Sequence, residues 1–176
     1  GQVPARLVMN PDPSAVVAGI RDYHGDSWLI PRYAELVQDL AAHSDPSFQV
    51  IGVELRIGEE DQLVAGELGY THGATYTSLS GFFLRDQERW SNHGSLQLVL
   101  LSAILDSAGM AFWNMGYAGM PYKTELGARI LSRSRFLSAW LPAVTQAGHR
   151  FGDTGPLEYS LDSLSSAVLV TQQSRA

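Results

Sequence analysis

Residues 63–83, LVAGELGYTHGATYTSLSGFF, decide the fold. Two apolar and aromatic runs, Leu63–Tyr70 and Ala74–Phe83, flank the short polar break Thr71-His72-Gly73. That arrangement is the sequence form of a β-hairpin. The second run carries Thr75, Tyr76, Thr77, Ser78 and Ser80 beside Phe82 and Phe83. So many hydroxyls and rings on one strand imply a surface that receives a ligand as well as packing a core.

Toward the N-terminus, Phe48–Ile57 reads as a third strand, with Ile51, Val53 and Leu55 on one face and Phe48 and Val50 on the other. Gly58-Glu59-Glu60-Asp61 is a charged turn between that strand and the hairpin. Asp12-Pro13-Ser14 offers a start signal for a helix over about 14–23, and Pro31 opens a second over about 31–43. Residues 1–13, with Pro4, Pro11 and Pro13, are expected to be an irregular lead-in.

Toward the C-terminus, residues 84–93 form a polar connection long enough to be a functional loop. The helix expected over 94–108 is apolar nearly all round, as suits a central helix buried against a sheet. AFWNM, residues 111–115, predicts a short strand that runs into the loop GYAGMP. One or two helical turns follow over 121–128. Another helix runs from a cap at Ser132 or Ser134 to about 146, with Pro142 marking a kink or an early end. Residues 157–169 read as strand or weak helix, and 171–176 as a frayed tail. Without repeats or a linker, 1–176 is expected to be a single domain.

Three antiparallel strands, a buried helix and a further strand make an α+β fold. Its mixed, mainly antiparallel sheet carries a buried central helix and flanking helices. The order resembles the core of the N-acetyltransferase (GNAT-like) acyl-transfer fold, in which two central strands splay and the acyl donor enters the gap.

Composition removes several other classes. The chain has 176 residues, 45% of them hydrophobic, enough to bury a core without cross-links. It has no cysteine, which excludes disulfides, thiol nucleophiles and thiolate metal sites. The net charge of −6 argues against a broadly basic nucleic-acid groove and against DNA as a partner. No apolar run nears the roughly 20 residues that span a bilayer, and no signal peptide opens the chain, so the expectation is a cytoplasmic protein without a membrane partner. His24, His43, His72, His93 and His149 lack paired metal-ligand spacing, so no metal site is expected.

Four patches, in order, resemble the leucyl/phenylalanyl-tRNA–protein transferase family. Ser27-Trp28-Leu29-Ile30-Pro31 is similar to that family's Thr-Trp-Ile segment before a helix. Leu63–Gly69 is similar to its Leu-Val-Gly-Gly-x-x-Gly strand. Thr75–Phe83 stands where the family has Gly-Glu-Ser-Met-Phe. Leu126-Gly127-Ala128 with Arg133–Leu137 is similar to its Leu-Gly-Ala…Arg-x-x-Phe/Tyr-Leu ending. The resemblance implies aminoacyl transfer from a charged tRNA to the N-terminal amine of a protein, with no other cofactor. Ser80 occupies the place of the family's Glu. Asn114 occupies that of its acidic residue on the strand after the central helix, with Gly116 where a Gln would be. An Asn can hold a group by hydrogen bonding but takes no proton at neutral pH.

Ester aminolysis starts from an activated donor, so positioning, a deprotonated amine and oxyanion support suffice. Glu67, mid-strand among apolar neighbours, is the first candidate to receive the amine's proton, because burial lifts a carboxylate's pKa toward neutrality. Asn114 and Ser80 complete the candidate catalytic set. Tyr76, Phe82, Trp113 and Tyr117 are candidates to line an aminoacyl or base pocket. Lys123, Arg129, Arg133 and Arg135 put four cations in one short stretch opposed by Glu125 alone, a candidate phosphate site for a tRNA acceptor end. Two alternatives stand beside this reading. One is a coenzyme-A-dependent N-acetyltransferase using acetyl-CoA, although Arg89–Ser95 lacks the second small-residue pattern of that family's phosphate loop. Gly94-Ser95 can still present backbone amides at a helix start. The other is a non-catalytic module that binds peptide N-termini or tRNA ends.

Overall fold

The computed structural model describes residues 4–25, 28–43, 45–85, 92–153 and 155–161. Its strands are β1 (Ala5–Asn10), β2 (Phe48–Ile57), β3 (Gln62–His72), β4 (Thr75–Phe83), β5 (Phe112–Asn114) and β6 (Leu157–Ser160). They form one six-stranded sheet in the order β5-β4-β3-β2-β1-β6. All neighbours are antiparallel except β4 and β5, which run parallel. The helices are α1 (Ser14–His24), α2 (Pro31–Ala42), α3 (His93–Ser107), α4 (Pro121–Glu125) and α5 (Arg133–Val144). This is the mixed α+β architecture that the element order predicts.

Alternation along the strands sorts the core into two layers. Ile51, Val53, Leu55 and Tyr76 meet Leu100, Leu101 and Ile104 of α3 on one face. Val50, Leu68 and Phe82 meet Val16, Val17 and Ile20 of α1, with Leu29 and Ala34, on the other. The all-round apolarity of α3 has a physical reason: one side packs on the sheet, while Leu98, Val99 and Ala103 turn to a cleft. On α5, Ser132 accepts the cap bond from the Arg135 amide, and Pro142 lies inside the last turn.

One expectation needs correction, and one open alternative is decided. The irregular lead-in contains β1, which pairs with β2 from Ala5↔Ile57 to Asn10↔Gly52. Its prolines bracket the strand instead of preventing it, and its partner lies far along the chain, beyond the reach of local pattern. The ambiguous tail resolves into β6, paired with β1 from Met9↔Leu157 to Arg6↔Ser160; residues 162–176 lie outside the described residues. A buried amide helps secure this end. Gln49 Nε2 donates to the Phe151 carbonyl at 2.6 Å, and the Phe151 amide donates to Gln49 Oε1 at 2.9 Å.

Candidate active site

The hairpin and β5 build the site. β4 pairs with β5 only at Thr75↔Phe112, Tyr76↔Trp113 and Thr77↔Asn114. Past that point β5 ends while β4 continues to Phe83, so the two strands part at Ser78. A register shift between Leu68 and Gly69 skips Leu79 on the β4 side, and Leu79 is exposed. That bulge sets which side chains of β4 point to which face.

Glu67 lies beneath the parting strands. It is buried, on the α3 face, and opposite Gly81 in the β3–β4 ladder. Tyr76 Oη donates to Glu67 Oε1 at 3.0 Å, and Ser78 Oγ donates to the same oxygen at 2.8 Å. Trp113 Nε1 in turn donates to Ser78 Oγ at 2.9 Å. Desolvation pushes the carboxyl up to about 7, against the two hydrogen bonds and the Lys123 cation, which favour its charged form. The Tyr76 phenol is pushed well up by burial and by that carboxylate. Burial lowers the Lys123 ammonium while Glu67 partly restores it. Its Nζ donates to the Met115 carbonyl, immediately beyond β5. Tyr122 is raised by burial and then by the charges of Glu67 and Tyr23. Tyr23, at the end of α1, accepts from Arg85 Nε at 2.8 Å.

Next to this assembly a cleft of about 770 Å³ runs between α3, the β5 strand and the segment from α4 to α5. Leu98, Val99, Phe112, Leu126, Ile130 and Phe136 make much of its wall apolar, with Lys123, Arg129 and Arg133 as its cations. Trp113 belongs both to the cleft wall and to the chain that ends on Glu67. Asn114 also lines the cleft. Its Oδ1 accepts from the Gly116 amide at 3.0 Å, and its Nδ2 has no acceptor among the described residues.

The structure thus brings together Glu67, Tyr76, Trp113 and Lys123 of the residues singled out from sequence, while Asn114, paired with Thr77 at the next β5 position, lines the cleft without touching Glu67. Tyr117 lines the cleft but is 74% exposed. Arg135 is exposed and outside the cleft wall. Ser80 and Phe82 part company with the rest. Ser80 pairs with Leu68, which packs toward α1, so its side chain lies on the sheet face opposite Glu67. Phe82 lies in that same layer, its ring across Gly19 and Gly66; it is core. Ser27 and residues 86–91 of the polar connection fall outside the described residues. Sequence reasoning missed Ser78 as a site residue, although its place two residues beyond Tyr76 was a usable signal. It also missed Tyr122, which only folding brings near the carboxylate.

Among the described residues no cluster of His, Asp and Glu forms a metal-ligand set, and no helix is long and apolar enough to cross a membrane. Residues 15–124, from α1 to α4, match the family model described as an acetyltransferase (GNAT) domain. No curated protein matches the chain.

Proposed function

The chain belongs to the acetyltransferase (GNAT) domain family, and from that premise we propose that it transfers an aminoacyl group from a charged tRNA to the N-terminal amine of a protein. The observation that carries the acyl-transfer chemistry is Glu67, a buried carboxyl brought up to about 7 beneath the point where β4 and β5 part. A group with that proton affinity takes a proton from an attacking amine at neutral pH and gives it up again afterwards.

The step balances without a covalent enzyme intermediate. The amine nitrogen bonds to the ester carbon as its proton passes to Glu67. The tetrahedral oxyanion then collapses, the carbon–oxygen bond to the ribose breaks, and the departing oxygen takes up the proton. Asn114 Nδ2, beside the cleft, is the side-chain donor assigned to the oxyanion. Lys123, Arg129 and Arg133 hold the donor's phosphates, and the apolar wall of the cleft receives its terminal base or aminoacyl side chain.

What supports an aminoacyl ester as donor is the ordered set of patches from Ser27 to Leu137, together with a cationic, largely apolar cleft. The family match favours a second reading, acetyl transfer from acetyl-CoA to an amine; Glu67 plays the same part in both. The test is a donor panel. Aminoacyl-tRNAs and acetyl-CoA are each incubated with peptides of varied N-terminal residue, and the products are read by mass. Addition of one amino acid residue, lost in Glu67→Gln, is the expected result. An acetyl mass alone replaces the proposed donor with coenzyme A. No product from any donor, with saturable peptide or tRNA binding, makes the protein a binding module.

A further inference from the structure

Glu67 is buried, so an acceptor arriving at the parting strands meets other groups first. Ser78 is half-buried and stands at the first β4 position past the last β4–β5 pair. Its hydroxyl has one hydrogen to donate and two lone pairs to accept with. The hydrogen is committed to Glu67 Oε1 at 2.8 Å, and one lone pair takes the Trp113 indole hydrogen at 2.9 Å. Among the described residues nothing fills the second lone pair. A hydroxyl held this way, donor inward and one acceptor site left over, is set to accept from an incoming amine and pass a proton on.

We propose that Ser78 is the relay through which the acceptor amine's proton reaches Glu67, with Trp113 as the positioning residue that orients the relay hydroxyl. This rests on the acyl-transfer reading of the site. As the nitrogen–carbon bond forms, the amine's proton moves to Ser78 Oγ while the Ser78 proton moves to Glu67 Oε1. Serine ends as it began, and the carboxylate ends protonated. Tyr76 donates to the same carboxylate oxygen from β4, and Lys123 and Tyr122 of α4 interact with Glu67 electrostatically. Tyr76 and Lys123 stabilise the carboxylate's charge, but Tyr76 is fully buried, out of an incoming amine's reach, and an ammonium has no lone pair to offer it.

Two measurements test the relay, one independent of activity. The indole N–H resonance of Trp113, assigned with Trp113→Phe, is followed from pH 5 to 9. In the wild type it is expected to show an inflection near pH 7 that disappears in Glu67→Gln and in Ser78→Ala. In the transfer assay Ser78→Ala is expected to lower kcat by about 100-fold, the lower end for a lost general acid–base path, with KM little changed. Ser78→Thr, which keeps the hydroxyl, is expected to stay within about fivefold of the wild type. A Ser78→Ala enzyme within about threefold of the wild type, beside an inactive Glu67→Gln, overturns the relay because the amine then reaches Glu67 directly. A flat Trp113 titration overturns it too. If the wild type transfers nothing from any donor, the function proposed above fails and the titration alone decides. An inflection that needs both Ser78 and Glu67 upholds the proton route, and its absence removes it.

Discussion

Burial lifts the Glu67 carboxyl from 4.5 to about 7, so between those values the folded chain holds a proton that the unfolded chain has released. Where the unfolded state binds fewer protons, the unfolding free energy falls as pH rises. The contribution of Glu67 is therefore most favourable below about pH 4.5 and is lost as pH climbs through about 7. At 1.36 kcal/mol per pH unit, the full difference is about 3 kcal/mol. Glu67→Gln keeps an oxygen to accept from Tyr76 and Ser78 but cannot ionise. It is expected to match the wild type in urea unfolding at pH 5 and to exceed it by about 2–3 kcal/mol at pH 8.5. Equal stability at both values would show that the carboxyl is not desolvated. The same ionisation predicts that transfer rises with pH to half its maximum near 7, a limb absent from any residual activity of Glu67→Gln.

The hairpin works because its two strands carry complementary needs. Tyr76 lies across Gly69, where a Cβ would collide with the tyrosine hydroxyl and the Thr77 carbonyl. Gly69→Ala is expected to cost about 1–3 kcal/mol of stability, as overpacking commonly does. It should also displace the Tyr76 hydroxyl from Glu67, seen as a changed pH limb for transfer. Preserved stability with an unchanged limb would show that the ring has room to move. At the other end of the sheet, Gln49 bonds both backbone groups of Phe151. Gln49→Ala leaves a buried N–H and C=O without partners, and about 2–4 kcal/mol should be lost in denaturant unfolding. The strands of the hairpin were legible because alternation and turn chemistry are local. β1 was not, since Ala5–Asn10 is a strand only by virtue of β2. Nor was the bulge at Leu79, which turns Ser80 away from Glu67; no residue in TYTSLSGFF announces it.

On the polyanionic donor proposed above, the chain's charge of −6 and its cationic cleft would act together. The global field opposes approach, so binding depends on Lys123, Arg129 and Arg133 at short range and weakens with salt. Replacing Arg129 and Arg133 together by Ala is expected to raise the donor's KM or Kd by about 10-fold or more and to flatten its salt dependence, with kcat changed less. An unchanged salt slope would place the donor's phosphates elsewhere. The layering sets this geometry: α3 fills the sheet face over Glu67 with one side and walls the cleft with the other.

Residues 63–83 define the hairpin and a mid-strand carboxylate without help from the rest of the chain, and the apolar helix over 94–108 adds the α+β class, because strand alternation and helix periodicity are written in neighbouring residues. The likeness to acyl-transfer folds followed from that order, and the acetyltransferase domain match over residues 15–124 agrees with it. Tertiary structure alone decided which hydroxyl meets Glu67. Ser78 and Ser80 look equivalent in sequence, but the parting of β4 from β5 and the bulge at Leu79 in the β3–β4 ladder put Ser78 on the carboxylate and Ser80 on the opposite face. The elevated proton affinity of Glu67 has the same origin, since desolvation arises from strands and helices distant in sequence closing over one side chain.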